Sequence, residues 1–141
     1  MAFEIERDWT TSAGLRAIVV IGGLGFRCGY VGIPPGHPLH GVDYAQDHES
    51  IDGPPYAVFD VHGGITFANN GIYSVECDLW WFGFDCGHLG DSPSPEYIAR
   101  QSEKFPHDPA LRGDYGGIHR SLGYCVAECE KLANQLAAVM A

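Results

Sequence analysis

Runs of β-branched and aromatic residues predict the strands of this chain. Residues 17–21 (AIVVI) form one apolar run, a glycine-rich turn follows at 22–25 (GGLG), and residues 26–33 return to a strand-forming composition. Two such runs joined by a short glycine turn are typical of a β-hairpin. A further apolar run at residues 79–88 predicts another strand. Together these segments favour a mostly antiparallel sheet.

The region between these strands has a less regular pattern. Proline and glycine recur through residues 34–55, which predicts a long ordered loop rather than a simple connection. Residues 56–67 alternate between apolar and polar side chains and predict a long strand or a bent pair of strands. Within them, Gly63 and Gly64 indicate a bulge or a place where a ligand approaches the backbone.

Helical patterns occupy the last third of the chain. Residues 94–96 (Ser-Pro-Glu) have the order of a helix N-cap, a first-turn proline and an acidic first turn, so a short helix should begin there. From Ser121 to Met140 apolar residues recur at steps of three and four, which predicts a long amphipathic helix that packs across the sheet. The sequence therefore predicts a single α+β domain over residues 1–141, with a mostly antiparallel sheet, one long C-terminal amphipathic helix and long Gly/Pro-rich loops.

The charge balance argues against one class of partner. The chain has 18 acidic and 8 basic residues and a formal charge of −10, whereas a protein that grips DNA or RNA needs Lys and Arg to neutralise phosphates. We expect no nucleic-acid polymer as partner, although a local pocket for a small nucleotide is compatible with this charge. The first twenty residues carry Glu4, Glu6, Arg7, Asp8 and Arg16, which do not fit the basic-then-apolar layout of a signal peptide. No apolar run approaches the roughly 20 residues of a membrane span. These features predict a cytoplasmic protein with no membrane partner.

The candidate chemistry lies in two segments, residues 60–67 (DVHGGITF) and 83–91 (GFDCGHLGD), which place ionisable side chains among apolar strand formers and glycines. A buried imidazole needs a hydrogen-bond partner, a metal or a substrate to offset its lost hydration. His62 and His88 are therefore candidates for the general base and general acid that act on a phosphodiester. The supporting candidates are Thr66 with the Gly63 and Gly64 amides, to stabilise the developing anion, and Asp85 or Asp91, to orient a ring.

A metal site is a second interpretation of the same residues. His62, Asp85, His88 and Asp91 offer nitrogen and oxygen ligands of the kinds that suit zinc or manganese, and Asp60 is a further candidate. A divalent ion with an open coordination position would polarise a phosphoryl oxygen or activate water. The spacing matches no specific metal signature, so the cofactor stays open.

Both interpretations depend on local backbone geometry. In an extended strand Asp85 and His88 face opposite sides, so the two side chains converge only if the strand ends or bulges near Gly87. A purely structural role is the third interpretation, in which Asp85 and Asp91 cap turns, His62 satisfies a carbonyl and His88 closes a loop.

Three further residues are candidates for contacts with a ligand. His37 and Tyr44 lie in the long loop, which could fold over a pocket as a lid. Arg27 is one of few cations in an acidic protein, and its guanidinium could hold an anionic ligand by bidentate contacts.

Three motifs together carry a resemblance: RCGYVG at 27–32, HGGITF at 62–67 and GFDCGHLGD at 83–91. With these motifs, the chain from Trp9 to the C-terminal helix resembles a family of small uncharacterised proteins carried by bacteriophages and prophages. The resemblance implies a phage origin and the cytoplasm of an infected bacterium, and it does not specify a reaction.

The resemblance also suggests a substrate class, because small accessory phage proteins often bind or cleave cyclic nucleotide signals of host defence. The leading hypothesis is a protein that binds a small anionic nucleotide and hydrolyses it as a phosphodiesterase-type enzyme, directly or through a divalent ion. The first alternative is a non-catalytic sponge, a homo-oligomer that sequesters the same signal. The second is an inhibitor that binds a host protein through its acidic surface.

Overall fold

A five-stranded antiparallel sheet organises the fold in the computed structural model, which describes residues 3–72, 75, 77–108 and 117–139. The strands of this sheet are β1 (Glu4–Thr10), β2 (Arg16–Ile21), β3 (Arg27–Ile33), β4 (Phe67–Asn69) and β5 (Trp80–Asp85). They lie in the order β1-β2-β3-β5-β4. A separate parallel pair joins β6 (Asp91–Ser92) to β7 (Ile118–His119). The helices are α1 (Pro55–Val58), α2 (Pro95–Lys104) and α3 (Leu122–Ala137).

The predicted hairpin is confirmed by the pairing of β2 with β3, in which Val19 lies opposite Gly29. The chain turns at Gly25, which has a φ of +88° and donates its N–H to the Gly22 carbonyl. The β5 strand pairs with the other edge of β3, so the mostly antiparallel sheet is also confirmed. The sequence pattern does not predict β1, because this edge strand is mostly exposed and its charged side chains show no apolar alternation.

The prediction of a long strand or a bent pair of strands over residues 56–67 is wrong. Pro55 begins the short helix α1, and the Phe59 N–H donates to its carbonyl. Gly63 and Gly64 then take positive φ values of +68° and +80°, which form a tight turn, and extended pairing starts only at Phe67. Phe59, Val61 and Ile65 of the alternation are buried all the same, because irregular backbone places them in the core.

The two predicted helices of the last third are confirmed. The Ser94 hydroxyl caps α2 by accepting the Tyr97 N–H, and the Ser121 hydroxyl caps α3 by accepting the Tyr124 N–H. Packing of α3 on β2 and β3 buries one face of the helix against the sheet. That face consists of Cys125, Cys129, Leu132, Ala133 and Leu136. The α+β fold with a long C-terminal amphipathic helix therefore agrees with the sequence, although Met140, the predicted helix end, lies outside the described residues.

The long loop over residues 34–55 is anchored to the body of the protein. His37 contributes to this anchor, because its Nε2 donates to the Leu136 carbonyl of α3 at 2.7 Å and its Nδ1 accepts the Leu39 N–H at 3.0 Å. Leu39 itself is fully buried in the core. Among the described residues, no helix has the length and apolar character needed to span a membrane.

Candidate functional site

The candidate site forms where β5 ends beside the start of α3. The strand ends at Asp85, and the turn that follows brings His88 back until its Nε2 lies 3.4 Å from Oδ1 of Asp85. His62 approaches from the turn after α1, and its backbone N–H donates to the Glu128 carboxylate of α3 at 2.8 Å. The condition for convergence of Asp85 and His88 is thus met, and the centroids of the His62 and His88 rings are 6.2 Å apart.

The first aspartate–histidine pair joins Asp91 to His62. Nε2 of His62 lies 3.0 Å from both carboxylate oxygens of Asp91, whose side chain is 1% exposed. Asp91 also accepts hydrogen bonds from Nε of Arg120 at 2.9 Å and from the backbone N–H of His88 at 3.0 Å. Burial raises the pKa of Asp91, but the hydrogen bonds from His62 and Arg120 outweigh it, so the pKa lies below its usual value.

The other nitrogen of His62 contacts a tyrosine. The hydroxyl of Tyr124 lies 2.8 Å from Nδ1 of His62, and the phenol ring meets the imidazole edge-on. Because an ionised carboxylate can only accept, Nε2 of His62 must donate to Asp91. Nδ1 then accepts the Tyr124 proton when His62 is neutral and donates to the Tyr124 oxygen when His62 is protonated. The three residues form one hydrogen-bonded chain from Asp91 to Tyr124.

The surroundings of Tyr124 keep its phenol in the protonated form. Burial, followed by the negative charge of Glu128, raises the pKa of Tyr124 above its usual value. The Arg120 guanidinium lies 5.1 Å from the centre of the Tyr124 ring. Tyr124 can therefore serve as a proton donor, with a cation close to its ring.

The second aspartate–histidine pair leaves one edge of an imidazole available. The Cδ2–Nε2 edge of His88 packs so closely on Gly63 that a Cβ added there would collide with both atoms. Nε2 is buried and lacks a well-aligned hydrogen bond, because Asp85 lies 3.4 Å away outside good geometry. The His88 side chain is nevertheless 37% exposed. The opposite edge, which carries Nδ1, therefore points away from Gly63.

Thr66 and Gly64 have partners within the protein. The Thr66 hydroxyl donates to Oδ2 of Asp85 at 3.2 Å, while the Gly87 N–H donates to Oδ1 at 3.0 Å. The Gly64 N–H donates to the Val61 carbonyl and closes the glycine turn. Thr66 thus fits a positioning role, because together with Gly87 it orients the Asp85 carboxylate that faces His88.

The geometry does not favour the predicted metal site. In the described part of the chain, no three His, Cys, Asp or Glu side chains are arranged to hold one metal ion. His62, Arg120 and the His88 amide already occupy the Asp91 oxygens. Asp60 is exposed and faces Lys131 on α3, away from the two pairs. The donor set therefore does not fit zinc or manganese as it stands.

Two of the predicted ligand contacts lie elsewhere. Arg27 is buried, forms an ion pair with Glu6 at 2.6 Å and contacts the His119 ring. His37 anchors the long loop to α3, as described above. Tyr44, in contrast, lines a cleft beside the glycine turn. Arg27 and His37 thus support the fold, and Tyr44 remains a candidate for ligand binding.

Two open clefts lie close to His88, one lined by His88 itself and the other by its neighbour Gly63. One, of about 350 Å³, is lined by Tyr44, Tyr56, Gly63, Gly64, Ile65 and Thr66. The other, of about 330 Å³, is lined by Leu24, Phe26, Gly87, His88, Leu89, Gly90 and Asp91. A larger cavity of about 530 Å³ lies near the end of α3, but its lining holds no ionisable side chain. The chemistry therefore assigns the site to the two smaller clefts.

Tyr124 is the site residue that sequence reasoning missed. It belongs to the helical pattern, where an aromatic side chain is ordinarily part of the packed face. Its signal lies in its position in the first turn after the Ser121 cap, four residues beyond Arg120. Only the tertiary fold shows that this turn of α3 meets the loop that carries His62.

Comparisons of the chain with protein-family models, with curated proteins and with solved structures find no match. The function must therefore be inferred from the site itself.

Proposed function

We propose that this protein hydrolyses a phosphodiester bond of a small nucleotide without a bound metal. The observation that carries the proposal is the presence of two aspartate–histidine pairs with ring centroids 6.2 Å apart. In the Asp91–His62 pair, the imidazole also contacts the Tyr124 hydroxyl. In the Asp85–His88 pair, the Nδ1 edge of the imidazole is not packed against Gly63. Such an arrangement offers a proton donor and a proton acceptor within one small site.

His88 is the general base in this proposal. Its Nδ1 takes a proton from a water molecule, and the water oxygen attacks phosphorus. Asp85 lies beside Nε2, so it favours the tautomer with the proton on Nε2 and stabilises the imidazolium that forms. Thr66 holds Asp85 in this orientation.

Tyr124 is the general acid. As the bond from phosphorus to the leaving oxygen breaks, the Tyr124 hydroxyl gives its proton to that oxygen. Protonated His62 replaces this proton through Nδ1, and Asp91 holds His62 in place from the other side. The Arg120 guanidinium has N–H donors beyond the one bound to Asp91, and these can contact the phosphate oxygens.

The nucleotide substrate rests on the resemblance to phage proteins together with the site's small size. A chain with a formal charge of −10 does not suit a polyanion that lies along its surface. A compact phosphodiester, such as a cyclic nucleotide signal, needs only local complementarity. In this proposal the protein acts in an infected bacterial cell and removes a defence signal.

The test is incubation of EDTA-treated protein with cyclic di- and trinucleotides and cyclic ADP-ribose variants, followed by chromatography of free and bound nucleotide. Wild-type protein should form product, and His88→Ala should lower the rate about 100-fold or more. His107→Ala is the matched control, because His107 lies in an exposed turn outside both clefts, and it should leave the rate unchanged. The proposal would be contradicted if no nucleotide in the panel were converted to product.

A sponge is the second candidate, and the state of His62 favours it. Both nitrogens of this ring have partners within the protein, so the Asp91–His62–Tyr124 chain is complete without a substrate. Such a network can hold a binding surface rigid without transferring protons. Intact nucleotide recovered from denatured protein would identify a sponge. If the experiment yields neither product nor bound nucleotide, the next candidate is a host protein that binds the acidic surface.

A further inference from the structure

The cleft beside the glycine turn has features of a binding site that the hydrolytic residues do not use. Its volume of about 350 Å³ lies at the lower end of the roughly 300–1,000 Å³ typical of small-molecule sites. Thr66 lines the cleft and donates to Asp85, the partner of His88. The cleft is therefore connected to the proposed catalytic base through the side chains of Thr66 and Asp85.

Two tyrosines with exposed rings give this cleft its character. Tyr44 is 38% exposed and Tyr56 is 52% exposed. The Tyr56 N–H donates to the Tyr44 carbonyl at 3.0 Å, so the backbones that carry the two rings are fixed to each other. Exposed aromatic rings on ordered backbone offer flat, amphipathic surfaces with little conformational entropy to lose on binding.

The glycine turn separates the two tyrosines from the histidines. An added Cβ at Gly63 would meet the His88 ring, whereas one at Gly64 would lie 3.7 Å from the Tyr56 carbonyl. One side of the turn thus faces His88 and the other faces Tyr56. The His88 ring fills the space that a side chain at Gly63 would take, whereas Gly64 leaves room, so a ligand can cross the turn close to the Gly64 backbone.

We propose that the Tyr44–Tyr56 cleft binds the nucleobase of the substrate, with the ribose and phosphate crossing the turn at Gly64 toward the Nδ1 edge of His88. This inference rests on the proposed function, because it takes the ligand to be a nucleotide. The base stacks on the tyrosine rings, and this contact does not depend on which base is present, because every base has a flat π face. The cleft then fixes which phosphodiester bond reaches His88.

The experiment measures binding of AMP and of ribose 5-phosphate by isothermal titration calorimetry, which requires no turnover. Wild-type protein should bind AMP at least tenfold more tightly than ribose 5-phosphate, because only AMP has a base to stack. Tyr44→Ala and Tyr56→Ala should each weaken AMP binding about tenfold and leave ribose 5-phosphate binding unchanged. Phe105→Ala is the matched control, since Phe105 is 51% exposed but lies outside the cleft.

The outcomes separate this inference from the proposed reaction. Equal affinity for the two probes, no measurable AMP binding, or AMP binding unaffected by both tyrosine variants would overturn the base subsite. If one of these outcomes is found while the wild type hydrolyses a cyclic nucleotide and His88→Ala abolishes this hydrolysis, the reaction stands and the subsite fails. If AMP binding depends on the tyrosines while no substrate is hydrolysed, the subsite stands and the reaction fails.

Discussion

Asp91 has the most constrained environment of the site residues, since it is buried and accepts hydrogen bonds from His62, Arg120 and the His88 backbone. A buried carboxylate is tolerated only when such partners replace its hydration. The same bonds orient His62 and hold the His88 turn. One carboxylate thus organises both histidines, and its loss should affect folding as well as chemistry.

Asp91→Asn should lower the free energy of unfolding at neutral pH by about 3 kcal/mol, because Arg120 and His62 lose the charge of the buried carboxylate that they contact. The folded-state pKa of Asp91 is depressed, so its contribution is present above the unfolded-state value near 3.8 and is lost as the pH falls through the lower folded-state value. Urea unfolding between pH 3 and pH 7 measures both effects.

The control for this substitution is Asp47→Asn, because Asp47 is exposed. It should change the free energy of unfolding by less than about 0.5 kcal/mol. Wild-type stability and wild-type pH dependence in Asp91→Asn would show that the carboxylate contributes nothing, contrary to the geometry.

Residues in the two motifs could be predicted as a site because charged groups are costly among apolar strand formers. This reasoning identified His62, His88, Asp85 and Asp91, which the structure brings together. It could not find Tyr124, whose contact with His62 joins distant parts of the chain. Residue type alone also could not distinguish Arg27, which pairs with Glu6 inside the fold, from a ligand-binding cation.

At the scale of elements, local patterns predicted the hairpin and α3 because their apolar periodicities come from regular backbone. The segment 56–67 misled the prediction, because an alternating pattern is also compatible with a helical turn and a glycine turn that bury Phe59, Val61 and Ile65. Short-range periodicity records which residues are buried. It does not record the backbone that buries them.

The contact between the sheet and α3 gives a direct prediction about stability. A Cβ at Gly29 would collide with Cζ of Phe84 and lie 2.8 Å from Sγ of Cys129, so Gly29→Ala should overpack the interface. We expect a loss of about 1–3 kcal/mol in the free energy of unfolding, measured by urea denaturation.

Gly36→Ala serves as the control for Gly29→Ala. No atom lies within 4 Å of the position of its Cβ, and its φ is outside the positive range. Its free energy of unfolding should equal or slightly exceed that of the wild type. Equal stability of the two variants would mean that α3 and the sheet are not packed as closely as described.

At the scale of the whole molecule, the sheet and α3 act as a rigid support for a site built on turns. The turn that carries His62 is tied to α3 by the hydrogen bond from the His62 N–H to Glu128, and the end of β5 is fixed by pairing with β3. The first turn of α3 is capped by Ser121 and leads directly into the buried Cys125. Fixed positions of this kind are what proton transfer between neighbouring groups requires. Under the proposed function, the formal charge of −10 favours a substrate recognised locally rather than along a surface.

The most direct measurement is the kcat of Tyr124→Phe relative to wild type on the hydrolysed nucleotide, with EDTA present throughout. The substitution keeps the ring and removes only the hydroxyl that lies 2.8 Å from His62. If the Asp91–His62–Tyr124 chain supplies the proton, kcat should fall about 100-fold or more while KM changes little. An unchanged kcat would contradict the role of the Asp91–His62–Tyr124 chain as proton donor. Loss of wild-type activity when EDTA is added would contradict a metal-independent site.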